Sequence, residues 1–269
     1  MIVSGNLKKE SQREVVGLIP AAGRATRIAP LPCSKEIYPI GLRTVGEEDT
    51  GAPKVICQYL LDKMLLAGVK KAFIVLREGK WDIPAYLGDG TSFNMNLAYL
   101  MLGLPYGVPY SIDQAYNFVK ESVIAFGFPD ILFEPDDAFA QLCARQAISG
   151  ADAVLGIFPA DRTRKVDMVD MGDGGRIREI IIKPEETKLR HTWGISVWSP
   201  TFTDFMHNYL LESKESAATQ PELHMGDVFQ AAISKGLMIE GLEVSNKPFI
   251  DIGTSDDLLR AIKCLLDKK

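Results

Sequence analysis

Arg27 and Lys35 stand behind a turn of small residues, Pro20-Ala21-Ala22-Gly23-Arg24-Ala25-Thr26-Arg27. That combination suits a polyphosphate. Small side chains let a ligand approach the backbone closely, and successive N–H groups in such a turn make a concavity for anions. The planar guanidinium of Arg27 can span two phosphate oxygens at once. A point charge at Lys35 can neutralise a phosphate. Taken alone, Lys35 reads equally well as a loop lysine pairing with Glu36.

Two carboxylates could complete this chemistry. Asp130 follows the apolar run Val123–Phe126, and Asp251 lies in Phe249-Ile250-Asp251-Ile252-Gly253-Thr254. An aspartate at the carboxyl end of a strand is well placed for a hard cation, and Mg²⁺ takes one or two carboxylates with phosphates and waters. The competing readings are a turn residue after Pro129 and a cap for a helix starting near Ser255. Lys183 ends the run Ile177–Ile182 and is either a phosphate ligand or a strand-end surface lysine. Glu134, Asp136 and Asp137 read as charges at a helix start. His191, His207 and His224 share no metal-ligand spacing. His191 and Trp193, beside Gly194, fit a sugar pocket and core packing equally.

These residues need elements to hold them. Strands are expected at Val15–Ile19, Ala72–Leu76, Val123–Phe126 and Ala153–Phe158. Helices are expected at Val55–Leu66, Ser111–Lys120 and Pro135–Ser149, the last with Pro near its start and Gly150 at its stop. This alternation predicts an α/β fold, with a mostly parallel sheet covered by helices on both faces. The second half changes character. Strands at Val166–Met171, Ile177–Ile182 and Trp193–Trp198, around a Gly-Asp-Gly-Gly turn, predict a hairpin-like section joining the sheet. Helices at Thr201–Leu211, Gly226–Ser234 and Ser255–Leu266 and short strands at Ile239–Val244 and Pro248–Ile252 follow. Residues 1–269 read as a single domain, with 1–14 a flexible extension.

Bulk composition narrows the class. The chain has 269 residues, 46% hydrophobic and 24% charged, as in an ordinary globule. A net charge of −5 argues against a nucleic-acid-coating protein. No apolar run approaches the ~20 residues of a membrane span, and Met1–Glu14 lacks the apolar region of a secretory signal. Cys33, Cys57, Cys143 and Cys264 are scattered without a C-x-x-C, which predicts free thiols in a reducing cytoplasm. No Walker A, G-x-G-x-x-G or G-x-S-x-G pattern occurs, which disfavours a dinucleotide oxidoreductase.

The ordered motifs resemble those of the sugar-phosphate nucleotidyltransferases. That family's G-G-x-G-T-R-L-x-P, then P-K-x-x-x-P-I, is similar to Ala22-Gly23-Arg24-Ala25-Thr26-Arg27-Ile28-Ala29-Pro30, then Ser34-Lys35-Glu36-Ile37-Tyr38-Pro39-Ile40. Ala22 and Ala25 stand where glycines are usual. The opening resembles bacterial UTP–glucose-1-phosphate uridylyltransferases, with the glucose-1-phosphate thymidylyltransferases close by. Phe128–Phe133 resembles the G-D-N-x-F element, whose Asp binds Mg²⁺, and Phe249–Thr254 the W-x-D-x-G-T/S element, which supplies the other metal carboxylate. Ile182-Lys183-Pro184 resembles E-K-P, whose Lys meets the sugar phosphate, with Ile182 replacing the Glu. Tyr110–Tyr116, including Gln114, is similar to a stretch that meets the base or sugar, with Ser111 in a Gly place, and reads equally as a plain helix start with Asp113 and Gln114.

The resemblance implies a Rossmann-like nucleotidyltransferase fold with a mostly parallel mixed central sheet. It implies nucleotidyl transfer from an NTP to a sugar 1-phosphate, releasing pyrophosphate, with UTP or dTTP favoured. Arg27, Lys35 and Lys183 are the expected catalytic cations, Ala21, Ala22, Gly23 and Gln114 the nucleotide-binding residues, and Asp130 and Asp251 the Mg²⁺ ligands. The expected partners are these two substrates, without nucleic acid or membrane, and homo-oligomers stay open. The alternative is a non-catalytic regulatory homologue that binds nucleotide or sugar phosphate. Retention of Arg27, Lys35, Asp130 and Asp251 together argues against it.

Overall fold

The computed structural model describes residues 13–45, 50–217, 219 and 221–267; all but the last two residues of the expected extension 1–14 lie outside them. Its strands are β1 (Val15–Pro20), β2 (Pro39–Val45), β3 (Thr50–Val55), β4 (Lys71–Leu76), β5 (Asn96–Met101), β6 (Val123–Gly127), β7 (Ile131–Leu132), β8 (Ala153–Pro159), β9 (Met168–Met171), β10 (Ile177–Ile181), β11 (His191–Trp198), β12 (Ile239–Glu243) and β13 (Ile250–Asp251). A nine-stranded sheet organises the fold. Its first half is parallel, in the order β6-β1-β4-β5.

Strand period explains why both sheet faces are apolar. Val16, Leu18, Phe73, Val75, Ile124 and Phe126 pack one way, against Phe202 and Phe229 of helices Pro200–Ala217 and Met225–Ser234. Ile19, Ala72, Ile74 and Ala125 pack the other way, against Leu60, Met64, Phe139 and Leu142 of helices Ile56–Leu66 and Ala138–Ser149. Near-continuous Val, Ile, Leu and Phe runs are what a doubly covered parallel sheet requires.

The other half is mixed. β11 runs antiparallel to β6 and β8, and its first residues pair with β9. β9 and β10 form the expected hairpin. β12 adds parallel to β8. β7 and β13 form a separate two-stranded ribbon, pairing Asp251 with Ile131.

Several boundaries differ from the sequence expectation. The helix expected at Ser111–Lys120 starts at Val108, after Gly107 at φ 125°, and breaks into three short turns ending at Val119. Pro109 in its first turn fits that early start. The helix expected from Pro135 begins at Ala138. The strand β5 and the ribbon β2–β3 were not anticipated. β5 is a half-exposed edge without clear alternation. The ribbon carries Pro39, Gly41, Gly51 and Pro53, a composition that reads as loop, yet edge strands tolerate proline.

Candidate active site

The carboxyl ends of β1, β4 and β6 share one edge of the sheet, where open α/β sheets bind ligands. The chain leaves β1 at Pro20, and the Ala21 N–H continues onto Val75 O at 2.8 Å. Ala21 is therefore buried with its N–H already taken, which corrects its expected role as a nucleotide contact. Ala22 and Gly23 face a cavity of about 530 Å³ with Arg24, Thr26 and Lys35. Ala25 sits at φ 52°. That left-handed backbone suits glycine, so a Gly is usual at this place for a conformational reason that Ala25 meets under strain.

Lys35 opens a short 3₁₀ turn, Lys35–Ile37. Asp82 fixes the approach by accepting from Ser34 N–H at 2.6 Å and Ser34 Oγ at 2.7 Å. Burial pushes the Asp82 carboxyl up, but those bonds hold it below the usual carboxylate range. The turn sends Lys35 and Glu36 opposite ways. Glu36 is buried and pairs with buried Lys80 at 2.5 Å, so Lys35 is not its partner. The Lys35 ammonium instead pairs with Asp130. Burial pushes Lys35 down, but Asp130 and then Asp251 outweigh it and hold the amine above its ordinary value.

The β7–β13 ribbon brings the second carboxylate in. Ile252 N–H donates to Asp130 O at 3.0 Å, closing the ribbon beside both aspartates. Gly253 lets Arg27 lie against this loop: a Cβ there would stand 2.8 Å from the guanidinium and 3.5 Å from Asp251 Oδ2. Asp251 keeps an exposed edge toward the cleft while protein crowds its other sides. That enclosure, and then the like charge of Asp130, push its carboxyl up to about 6, against Lys35 and Arg27. Two crowded carboxylates that repel each other suit a divalent hard cation, which takes oxygen donors and relieves their repulsion.

A second cavity of about 520 Å³ lies beyond this seam and is lined by Arg27, Asp130, Asp251, Lys183, Asp167 and Trp193, among others. The two cavities share Val108, Phe128, Asp130 and Glu222. The cleft is thus two lobes joined at Asp130. The structure brings Arg27, Lys35, Lys183, Asp130, Asp251, Ala22 and Gly23 to its walls. It does not bring Gln114, whose exposed side chain folds over Gly103 and bonds to Tyr110 O at 3.4 Å. Gly107, not Ser111, opens the helix at this edge of the cleft. Ser111 is buried and donates to Gly107 O. Trp193 joins the second lobe, whereas His191 lies near Glu243 instead.

Sequence reasoning missed Asp82, Glu222, Gly107 and Asp167. Asp82 opens the short helix Asp82–Leu87 and Asp167 lies in the loop before β9, and neither has a local spacing that marks it. Gly107, between aromatic and Pro residues, did carry a turn signal.

The chain is similar to known proteins along most of its length. The family model described as Nucleotidyl transferase matches residues 16–268. A low-salt glycan biosynthesis nucleotidyltransferase of Haloferax volcanii is 22% identical over 94% of this chain, which spans 66% of that relative's length. A glucose-1-phosphate thymidylyltransferase of Mycolicibacterium smegmatis is 24% identical, over 91% of this chain and 80% of its own. Among solved structures, one assigned as a glucose-1-phosphate thymidylyltransferase of Bacillus anthracis superposes with a TM-score of 0.80 at 20% identity, covering 94% of this chain and 96% of its own. A UDP-glucose pyrophosphorylase bound to UDP-glucose gives 0.74 at 15% identity, covering 95% and 100%. The expected α/β fold is the observed one, and with a family match that runs from β1 to the last helix, the chain belongs to the nucleotidyl transferase family.

Proposed function

We propose that this chain, as one domain, transfers a nucleotidyl group from UTP or dTTP to a sugar 1-phosphate and releases pyrophosphate. The observation that carries the proposal is the seam itself. Arg27, Lys35, Asp130 and Asp251 converge where two lobes meet, one walled by the small-residue turn and the other by Lys183. A transfer between two phosphates needs that arrangement: two binding spaces and concentrated charge at their junction.

An oxygen of the acceptor phosphate attacks the α-phosphorus of the nucleotide. The new P–O bond forms as the bond to the bridging oxygen breaks, and pyrophosphate leaves with the electron pair. No covalent enzyme intermediate is required. The Ala22 and Gly23 turn approaches the nucleotide phosphates, and Arg27 spans their oxygens. Lys35, kept charged by its acidic neighbours, meets the negative charge that develops at the α-phosphate. Lys183 orients the acceptor phosphate. Asp130 and Asp251 would hold Mg²⁺, which supplies charge neutralisation to the reacting phosphates when bound.

The base lies in the first lobe against Ala22, Gly23 and Gly107. A tight backbone wall suits the single N–H between two carbonyls of uracil or thymine. This matches the bases in the names of the thymidylyltransferase and UDP-glucose relatives. The four free cysteines fit a reducing cytoplasm, and among the described residues no helix is long and apolar enough to cross a membrane. The test is a screen of NTPs against sugar 1-phosphates with pyrophosphate release as readout. UTP or dTTP with a hexose 1-phosphate should turn over, chelation should abolish it, and Mg²⁺ should restore it. Turnover confined to ATP or GTP would overturn the base assignment. No pyrophosphate with any pair would overturn the reaction.

A further inference from the structure

The second lobe contains two buried polar atoms that the protein leaves unanswered. Asp167 Oδ1 and Trp193 Nε1 have no hydrogen-bond partner. Both residues line the cavity that also holds Lys183, Asp130 and Asp251. Buried polar groups in native proteins are nearly always satisfied, so an orphaned donor and acceptor together in one ligand cavity call for an explanation.

Both groups are held in place. The register of β11 against β8 shifts between Trp193 and Ile195, making Gly194 the extra residue of a bulge. Bulges re-aim side chains beside functional sites. The Trp193 ring packs against Phe126, Phe128 and Phe229, with centroids 6.3, 6.0 and 5.1 Å away. Asp167 occupies room left by Gly226, where a Cβ would stand 2.5 Å from Oδ2. Burial pushes the Asp167 carboxyl up, while His224, Lys183 and the facing indole N–H pull it down. The indole and carboxylate thus sense each other without reaching hydrogen-bond geometry. A fixed donor facing a fixed acceptor is completed by one group that accepts from the first and donates to the second. A hydroxyl does both; an ammonium cannot accept, and a carbonyl or phosphate oxygen cannot donate.

We infer that Asp167 and Trp193 together read one ring hydroxyl of the acceptor sugar and so determine specificity in the second lobe. This assignment rests on the reading of a sugar 1-phosphate as acceptor. A site built to bond a hydroxyl strongly rejects the analogue that lacks it, because its own buried groups are then left open.

The experiment compares glucose 1-phosphate with its monodeoxy analogues, using UTP or dTTP and Mg²⁺, in the unmodified protein, Asp167→Asn and Trp193→Phe. The unmodified protein should lose roughly 100-fold or more in kcat/KM on one deoxy analogue. In each variant that same analogue should be disfavoured by less than about 10-fold, since the group that read the hydroxyl is gone. The KM for the nucleotide should hold, which reports an intact fold. Trp193→Phe retains the ring packing and removes only the donor, so it decides the matter if Asp167→Asn unsettles its loop. Discrimination as sharp in Trp193→Phe as in the unmodified protein overturns the assignment alone, with a water filling the gap. Absence of turnover with every sugar 1-phosphate overturns the reaction and this assignment with it.

Discussion

The two lobes of the cleft are built in opposite ways. The first draws its turn and Lys35 from one continuous stretch, Ala22 to Lys35, set at the end of a buried parallel strand, and the same stretch extends Arg27 into the second. The second collects Asp167, Lys183, Glu222 and Phe249 from separate connections and Trp193 from β11. One lobe is a local device that a short motif can specify. The other exists only once β8 to β13 have paired. On the proposed reading, the chemistry common to any nucleotidyl transfer belongs to the local end and the seam, and acceptor choice to the assembled end.

The strongest way to break this division is at the seam. Asp130→Asn and Asp251→Asn should each lower turnover by roughly 10³-fold or more, the scale of losing metal-assisted charge stabilisation. Circular dichroism and thermal melts should show the fold retained. Asp251→Asn also removes a crowded like charge, so it should unfold no earlier than the unmodified protein. Near-normal pyrophosphate release by either variant would place the chemistry elsewhere.

Next come the two cations of the local stretch, Lys35 in the first lobe and Arg27 reaching the second. Lys35→Ala and Arg27→Ala should lose ~10²–10³ in kcat, the usual effect of deleting one preorganised charge donor. A change confined to KM would mean that they bind ground and transition states alike. The assembled lobe should respond differently. Lys183 is exposed on the cleft wall, and Lys183→Ala should raise KM for the sugar phosphate about 10-fold, the scale of one charged hydrogen bond. KM for the nucleotide should stay put in steady-state titrations of each substrate, and a shift in it instead would blur the boundary between lobes.

The same division explains what was legible from sequence. Val15–Ile19, Val123–Phe126 and Ala153–Phe158 announced themselves because doubly covered strands are continuously apolar. Arg27 and Lys35 came with a recognisable turn, Asp130 followed a strand, and Asp251 lay near the end of one. Gln114 misled because a helix-start amide has no signature for direction, and Gly103 lets it fold away from the cleft. Ala21 misled because its N–H prolongs the sheet instead of facing the ligand. Asp167 was invisible: it reaches the cavity through a bare Gly226 and a hairpin joined to β11.

The smallest effect concerns Ala25. At φ 52° an alanine carries strain of order 1–2 kcal/mol that glycine avoids. Glycine in turn loses roughly 0.4–1 kcal/mol through a freer unfolded chain. Ala25→Gly should therefore raise stability by between nothing and about 1.6 kcal/mol in denaturant melts, with kcat unchanged. A clear loss of stability would mean that the turn relaxes away from the left-handed conformation.

The central claim is that Asp130 and Asp251 act as one unit, and a double-mutant cycle on pyrophosphate release tests it most directly. Groups that serve a single function are strongly non-additive. The double variant Asp130→Asn/Asp251→Asn should be no more than about 10-fold worse than the poorer single variant, since either change already disables the shared site. Losses that multiply in full would contradict the account, showing two carboxylates that contribute independently.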